Sequence, residues 1–251
     1  LLRIFPGLLV VGLILGALWR MWQARRLTLT PAHRRFALGC LATLALLVPV
    51  SSAVNGIQSW PGFVDNSRKH LATPLTNYMG LKTVLAFSPD TRARRLKDPR
   101  LADPYGPWKD ARRAVFTARR PLFALLLFGY LLLLLRAVRG REDWQAAALS
   151  VGLIPMATEL TCYYMSILMG LALLFRPGSG RTALAAAGLL LYGAATWVIS
   201  TLWGWYDEQF TWLSLATVAL VLGVTWIIGE RGEQVEVEEW TTVRPHATAR
   251  P

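Results

Sequence analysis

The 251-residue sequence is poor in the residues that build most soluble sites, with two Cys, three His and only 15 Asp+Glu against 27 Lys+Arg. Cys40 and Cys162 cannot form a disulfide framework or a C-x-x-C metal site, and each sits in an apolar block where a thiol behaves as a small hydrophobe. His33, His70 and His246 belong to different connectors, which excludes haem held by paired intramembrane histidines. The motifs G-x-x-x-x-G-K-[ST], H-E-x-x-H and G-x-S-x-G are absent, so P-loop ATPase, zinc protease and serine hydrolase readings lack support. No metal site is expected and no cofactor is evident; a divalent cation would have no recognisable ligand set. The sequence shows neither an internal repeat nor low-complexity tracts beyond leucine-rich stretches.

What is present is apolar length. Hydrophobic residues make up 54% of the chain and charged residues 17%, which excludes a disordered chain and speaks against an ordinary soluble domain. Apolar blocks run over Ile4–Trp22, Phe36–Gly56, Pro121–Val138, Trp144–Ala157, Leu160–Phe175, Thr182–Trp203 and Phe210–Ile228. Most approach the roughly 20 residues that cross a hydrocarbon core as a helix. An all-α polytopic integral membrane bundle with about seven spans is therefore expected. Residues 1–56 would form two transmembrane helices, 57–120 a basic extracytoplasmic loop at the membrane surface, 121–228 the main bundle and 229–251 a cytoplasmic tail. The irregular part is 144–175, too long for one straight span and short for two, and interrupted by Pro155, Thr158, Glu159 and Thr161. Two short helices or one broken helix satisfy it, provided the freed backbone groups are buried in protein or lie near water.

The formal charge of +12 serves topology and headgroup contact before it serves nucleic acid, which is not expected as a partner. Arg25, Arg26, Arg34 and Arg35 share one connector, Arg136, Arg139 and Arg141 a second, Arg176 and Arg181 a third. Placing these three inside puts Asp207, Glu208 and the 57–120 loop outside, and Glu159 near the outer end of its hairpin. A bacterial inner membrane is the expected location. The sequence starts at Leu1 within a hydrophobic segment, with Arg3 as the one early cation and no small-x-small cleavage site before Arg25, and so reads as part of a longer protein or as a processed chain.

Three constellations could carry chemistry. Glu159, a carboxylate in an apolar stretch, is costly to bury and so faces a partner, a cavity or the outer headgroup layer. Asp65, Asn66, Arg68, Lys69 and His70 lie within two helical turns, with Asp65/Lys69 and Asn66/His70 at i, i+4; His70 could serve as a base or a phosphate ligand. Asn77, Gly80 and Lys82 follow, and Gly80 permits close approach of a backbone or ligand. From Asp90 to Arg120 come ten cations, including Arg92, Arg94 and Arg95, interleaved with prolines that break the stretch into short helices and turns. Such a run attracts anionic membrane lipids or grips the diphosphate of a polyprenyl-linked sugar, with Arg92, Arg94 and Arg95 as phosphate ligands. The apolar stretch Tyr78–Phe87 is expected on the bilayer surface. Substrate contacts are expected from Asn66, Arg68, His70, Lys82 and Glu159 converging on one outer cavity, in which Lys82, Arg68 or His70 would pair with Glu159.

Trp60, Phe63, Asn66, His70, Asn77, Gly80 and Lys82, followed by Glu159-x-x-Cys162-Tyr163-Tyr164, resemble the later half of bacterial polytopic proteins related to the C-type superfamily of membrane glycosyltransferases, over about Val54 to Phe175. The resemblance implies a polyprenyl-phosphate-linked sugar donor and a catalytic carboxylate in an early outer loop. This stretch has no such residue, so that carboxylate is expected upstream of Leu1, and no catalytic residue is identified. The competing expectation is a non-catalytic structural subunit or scaffold of a larger membrane complex, partnered by other subunits or by an upstream part of the same protein.

Overall fold

The computed structural model describes residues 5–27, 29–204 and 207–230. All of the expected tail beyond Glu230 lies outside the described residues. In chain order the elements are a 3-10 turn (Phe5–Leu9), α1 (Val10–Ala24), α2 (Pro31–Asn55), α3 (Ser59–Ala72), the strand β1 (Tyr78–Met79), α4 (Leu81–Ala86), a second 3-10 turn (Pro89–Thr91), α5 (Ala93–Leu96) and α6 (Gly106–Ala118). They continue with α7 (Arg120–Val138), α8 (Asp143–Ser150), α9 (Leu153–Ala157), β2 (Leu160–Thr161), a 3-10 helix (Cys162–Leu174), α10 (Gly180–Leu202) and α11 (Asp207–Gly229). The architecture is a helical bundle of membrane type.

Among the described residues, five helices are long and apolar enough to cross a membrane: Gly7–Ala24, α2, α7, α10 and α11. The expected count was about seven. The difference lies in 144–175, where α8 and α9 are short and the return stretch is a 13-residue 3-10 helix. Pro155, in α9, cannot donate to the preceding turn, and the chain turns extended at Thr158.

Local chemistry sets the helix ends. Thr30 caps α2 by accepting from the His33 amide at 3.2 Å, with Pro31 in the first turn, where a missing N–H costs nothing. Glu142 and Gln145 form a reciprocal capping box on α8. Asp207 and Glu208 open α11 at the positive end of its dipole.

The core is organised around α11, which packs along α10 and α7 and against α4. Its hydroxyls are satisfied without water: Ser214, Thr217 and Thr225 donate to the carbonyls of Phe210, Leu213 and Val221. Helix α1 packs against α8, and a side chain at Gly12 would collide with the Ala146 carbonyl. By contrast α2 buries none of its residues among the described residues.

The two ends differ in chemistry. At one end Arg20 and His33 meet Asp143 at 2.9 and 3.0 Å, Arg139 stacks on Trp19, Arg176 approaches Glu142 at 3.8 Å and Arg181 donates to the Glu230 carbonyl. Sequence placed these three basic connectors together. The opposite end carries α3 to α6, joined to the start of α11.

The segment 57–120 is more deeply integrated than a surface loop. Tyr78 and Met79 pair antiparallel with Thr161 and Leu160, and Met79, Leu81 and Leu85 belong to the central core. The placement of Tyr78–Phe87 on the bilayer surface is therefore corrected. Two backbone strands that satisfy each other can be buried, and once buried their apolar side chains join the core.

Candidate functional site

Four segments meet at the loop-bearing end: the β1–α4 junction, α6, the α9–β2 turn and the start of α11. Gly80 makes the junction. Its φ of +136° suits glycine, and a Cβ there would lie 2.5 Å from the Thr158 carbonyl oxygen and 2.8 Å from that of Pro155. Its amide donates to Ser214 Oγ at 3.1 Å, fastening α4 to α11. The close approach at Gly80 is thus to backbone.

This packing delivers Lys82 and Thr83, two and three residues after Gly80, to Glu159. Glu159 is buried at 8% exposure. Lys82 Nζ lies 2.9 Å from Oε2, Thr83 Oγ1 donates to Oε1 at 3.0 Å, and the Arg112 guanidinium donates to Oε1 as well. Arg112 is itself buried at 3% and lies over the Trp108 ring, while Lys82 lies over Phe116. Burial pushes the Glu159 carboxyl up; the adjoining Arg112 and Lys82 charges more than reverse this and hold it below the ordinary carboxylate range. A charged group that loses water must have its lone pairs matched, and here three donors match them.

A second carboxylate pair completes the end. Asp207, buried at 2%, accepts from the Ala93 amide at 3.0 Å and the Trp108 indole at 2.9 Å. Glu208 holds Arg92 at 2.8 Å and Arg94 at 3.0 Å. Trp108 therefore lies between Arg112, which binds Glu159, and Asp207, so the two clusters form one continuous polar seam.

The expected site residues divide. Lys82 reaches Glu159, whereas Asn66, Arg68 and His70 lie exposed on α3. Arg68 approaches Asp65 at 3.9 Å, in place of the anticipated Asp65/Lys69 pair. The end of α3 nevertheless reaches the seam, since the Leu71 carbonyl accepts from Lys82 at 3.4 Å and that of Ala72 from Arg113 at 3.2 Å. Arg92 and Arg94 are engaged by Glu208, and Arg95 faces Asp90 at 3.6 Å. Among the described residues no three His, Cys, Asp or Glu side chains gather as a metal site would require.

Arg112, Thr83, Trp108 and Asp207 were not singled out as partners of this site. A signal existed for two of them: Trp108, Arg112 and Phe116 recur at i, i+4, i+8, so that α6 presents one inward face carrying a cation. Thr83 and Asp207 had none, because their partners are 76 and 99 to 114 residues away. No family model matches the sequence, and neither a curated protein nor a solved structure matches it.

Proposed function

We propose that the chain is a non-catalytic structural unit of a larger membrane assembly, in which α2 supplies the docking helix. The observation that carries this reading is α2 itself: 25 residues of apolar helix, none of them buried among the described residues. Its tie to the bundle is polar and basal, through His33 to Asp143. The polar seam supports the same reading, because Glu159, Asp207 and Glu208 are all occupied by partners within the chain, leaving a clamp rather than an open reaction site. Photo-crosslinkers at Leu38, Leu41 and Leu44 in native membranes are expected to give a discrete protein adduct. Lipid adducts alone would overturn the proposal.

In this reading the basic end faces the cytoplasm of a bacterial inner membrane, by the charge rule for short connectors, and the α3–α6 segment faces outside. Seven passes remain compatible with the five long helices. A 13-residue 3-10 helix rises about 26 Å at about 2 Å per residue, against the roughly 30 Å hydrocarbon core, and α8–α9 together form the opposing pass.

The second reading is a polyprenyl-phosphate-dependent glycosyltransferase component. It is favoured by Lys82, whose side chain is 26% exposed and reaches the Leu71 carbonyl, adjacent in sequence to His70. Sugar transfer from a polyprenyl phosphate donor in reconstituted vesicles, abolished by Lys82→Met in a protein that still folds, would favour it over the scaffold.

A further inference from the structure

At the end opposite the polar seam, an open cleft of about 560 Å³ at the ends of α7, α10 and α11 is lined by Arg136, Arg139, Arg181 and Glu230. Among the described residues none of these three arginines pairs with a carboxylate. Arg136 stacks on Trp226, Arg139 stacks on Trp19, and Arg181 donates to the backbone carbonyl of Glu230. The Glu230 carboxylate accepts from the Trp226 indole at 2.9 Å. Arg139 Nε is buried without a hydrogen-bond partner among the described residues. At the neighbouring Arg141 burial chiefly, and then the charges of Arg176 and Arg181, pull the guanidinium below its ordinary value. Stacked guanidiniums hold their donor edges free, the geometry in which arginine grips phosphate in pairs of hydrogen bonds.

An apolar groove of about 320 Å³ runs along the same two helices, α10 and α11. Ala185, Gly188, Ala216 and Gly223 leave it open, and one end of it, at Leu184 and Ile227, lies one helical turn from Arg181 and Glu230. From Leu184 to Ala195 the groove covers about 16 Å at about 1.5 Å per residue. That is about half of the roughly 30 Å hydrocarbon core, the depth of one leaflet.

We propose that groove and cleft together form a site for one anionic phospholipid, its phosphate held by Arg136, Arg139 and Arg181 and an acyl chain lying between α10 and α11. The charge complementarity selects the head, and the leaflet-deep apolar groove selects a lipid over free phosphate. This site is independent of the proposed scaffold role and lies at the other end of the bundle.

Native mass spectrometry of the purified full chain, titrated with phosphatidylglycerol and with phosphatidylcholine of the same acyl chains, tests it. One retained phosphatidylglycerol is expected, weakened about tenfold or more by the double variant Arg136→Gln/Arg181→Gln. Gly223→Leu is the second variant; a Cβ at Gly223 meets nothing within 4 Å among the described residues, so the added side chain fills the groove in a folded protein and weakens retention with every arginine intact. Equal retention of phosphatidylcholine, or undiminished retention in both variants, would overturn the proposal. So would displacement of the lipid by inorganic phosphate alone, which would identify a free-anion site. Retention seen only after Glu233, Glu236, Glu238 and Glu239 are changed to Gln would assign the cleft to the chain's own acidic segment and would also overturn it.

Discussion

Replacing Glu159 by Gln is the sharpest test of the clamp. The substitution keeps the shape and an acceptor for Thr83 and Arg112 but removes the charge. Lys82, with a side chain 26% exposed, can turn to water; Arg112, at 4%, cannot. The cost is therefore mainly that of one cation left buried without its counter-charge, about 3 kcal/mol within the usual range of about 3–5 for breaking a buried pair. At 1.4 kcal/mol per power of ten this is about a hundredfold in the unfolding equilibrium. Denaturant unfolding in micelles, followed by circular dichroism, should show the loss, and amide exchange should rise first in Tyr78–Ala86, the stretch that Thr83 and Lys82 anchor. The apolar triple replacement Lys82→Met/Arg112→Leu/Glu159→Leu should recover most of the stability, because the desolvation of all charges disappears together. An E159Q protein within about 0.5 kcal/mol of wild type, with unchanged exchange in Tyr78–Ala86, would refute the argument.

Acid should act on the same clamp: the carboxyl of Glu159 is held below its ordinary value, so its contribution is fully present above the unfolded carboxylate range, near pH 4.3 by ordinary values, and is lost as pH falls through the lower folded value. An unfolding titration of wild type against E159Q should show the two stabilities converging at low pH. Gly80→Ala meets both a positive φ and the Thr158 carbonyl, and should lower stability by about 2 kcal/mol or more in thermal melts, whereas Gly39→Ala, in open surroundings on α2, should not. Trp108→Phe keeps the ring stacked on Arg112 but takes one donor from buried Asp207, at about 1–3 kcal/mol by chemical denaturation. Single cysteines at Arg25 and Lys97, in a background lacking Cys40 and Cys162, should label from opposite sides of sealed vesicles; labelling from one side would reverse the reading of the two ends.

Sequence alone pointed to the membrane class, since several of its apolar blocks approach the roughly 20 residues that cross a hydrocarbon core as a helix. It also determined which connectors share an end, because short basic connectors obey a rule that acts residue by residue. Its weakness was 144–175, where block length left two short helices or one broken helix open and only the fold decided on α8, α9 and a 3-10 helix; a backbone leaves the α form where neighbouring segments accept its freed groups, and β1 is such a segment. The candidate site divides in the same manner. That Glu159 needs a cationic partner was legible from the cost of burying a carboxylate. Which cation was not: His70, Arg68, Lys82 and Arg112 are equivalent in charge logic, and the choice of Lys82 and Arg112 follows from Gly80 passing against Thr158 and from α6 turning its Trp108–Arg112 face inward. Arg92 and Arg94 read as free phosphate ligands in the sequence, yet Glu208 lies 114 residues beyond Arg94 and claims them both. Propensity and hydropathy act over a few turns of chain, while the pairing of charges across such distances is set by packing, which only the tertiary structure contains.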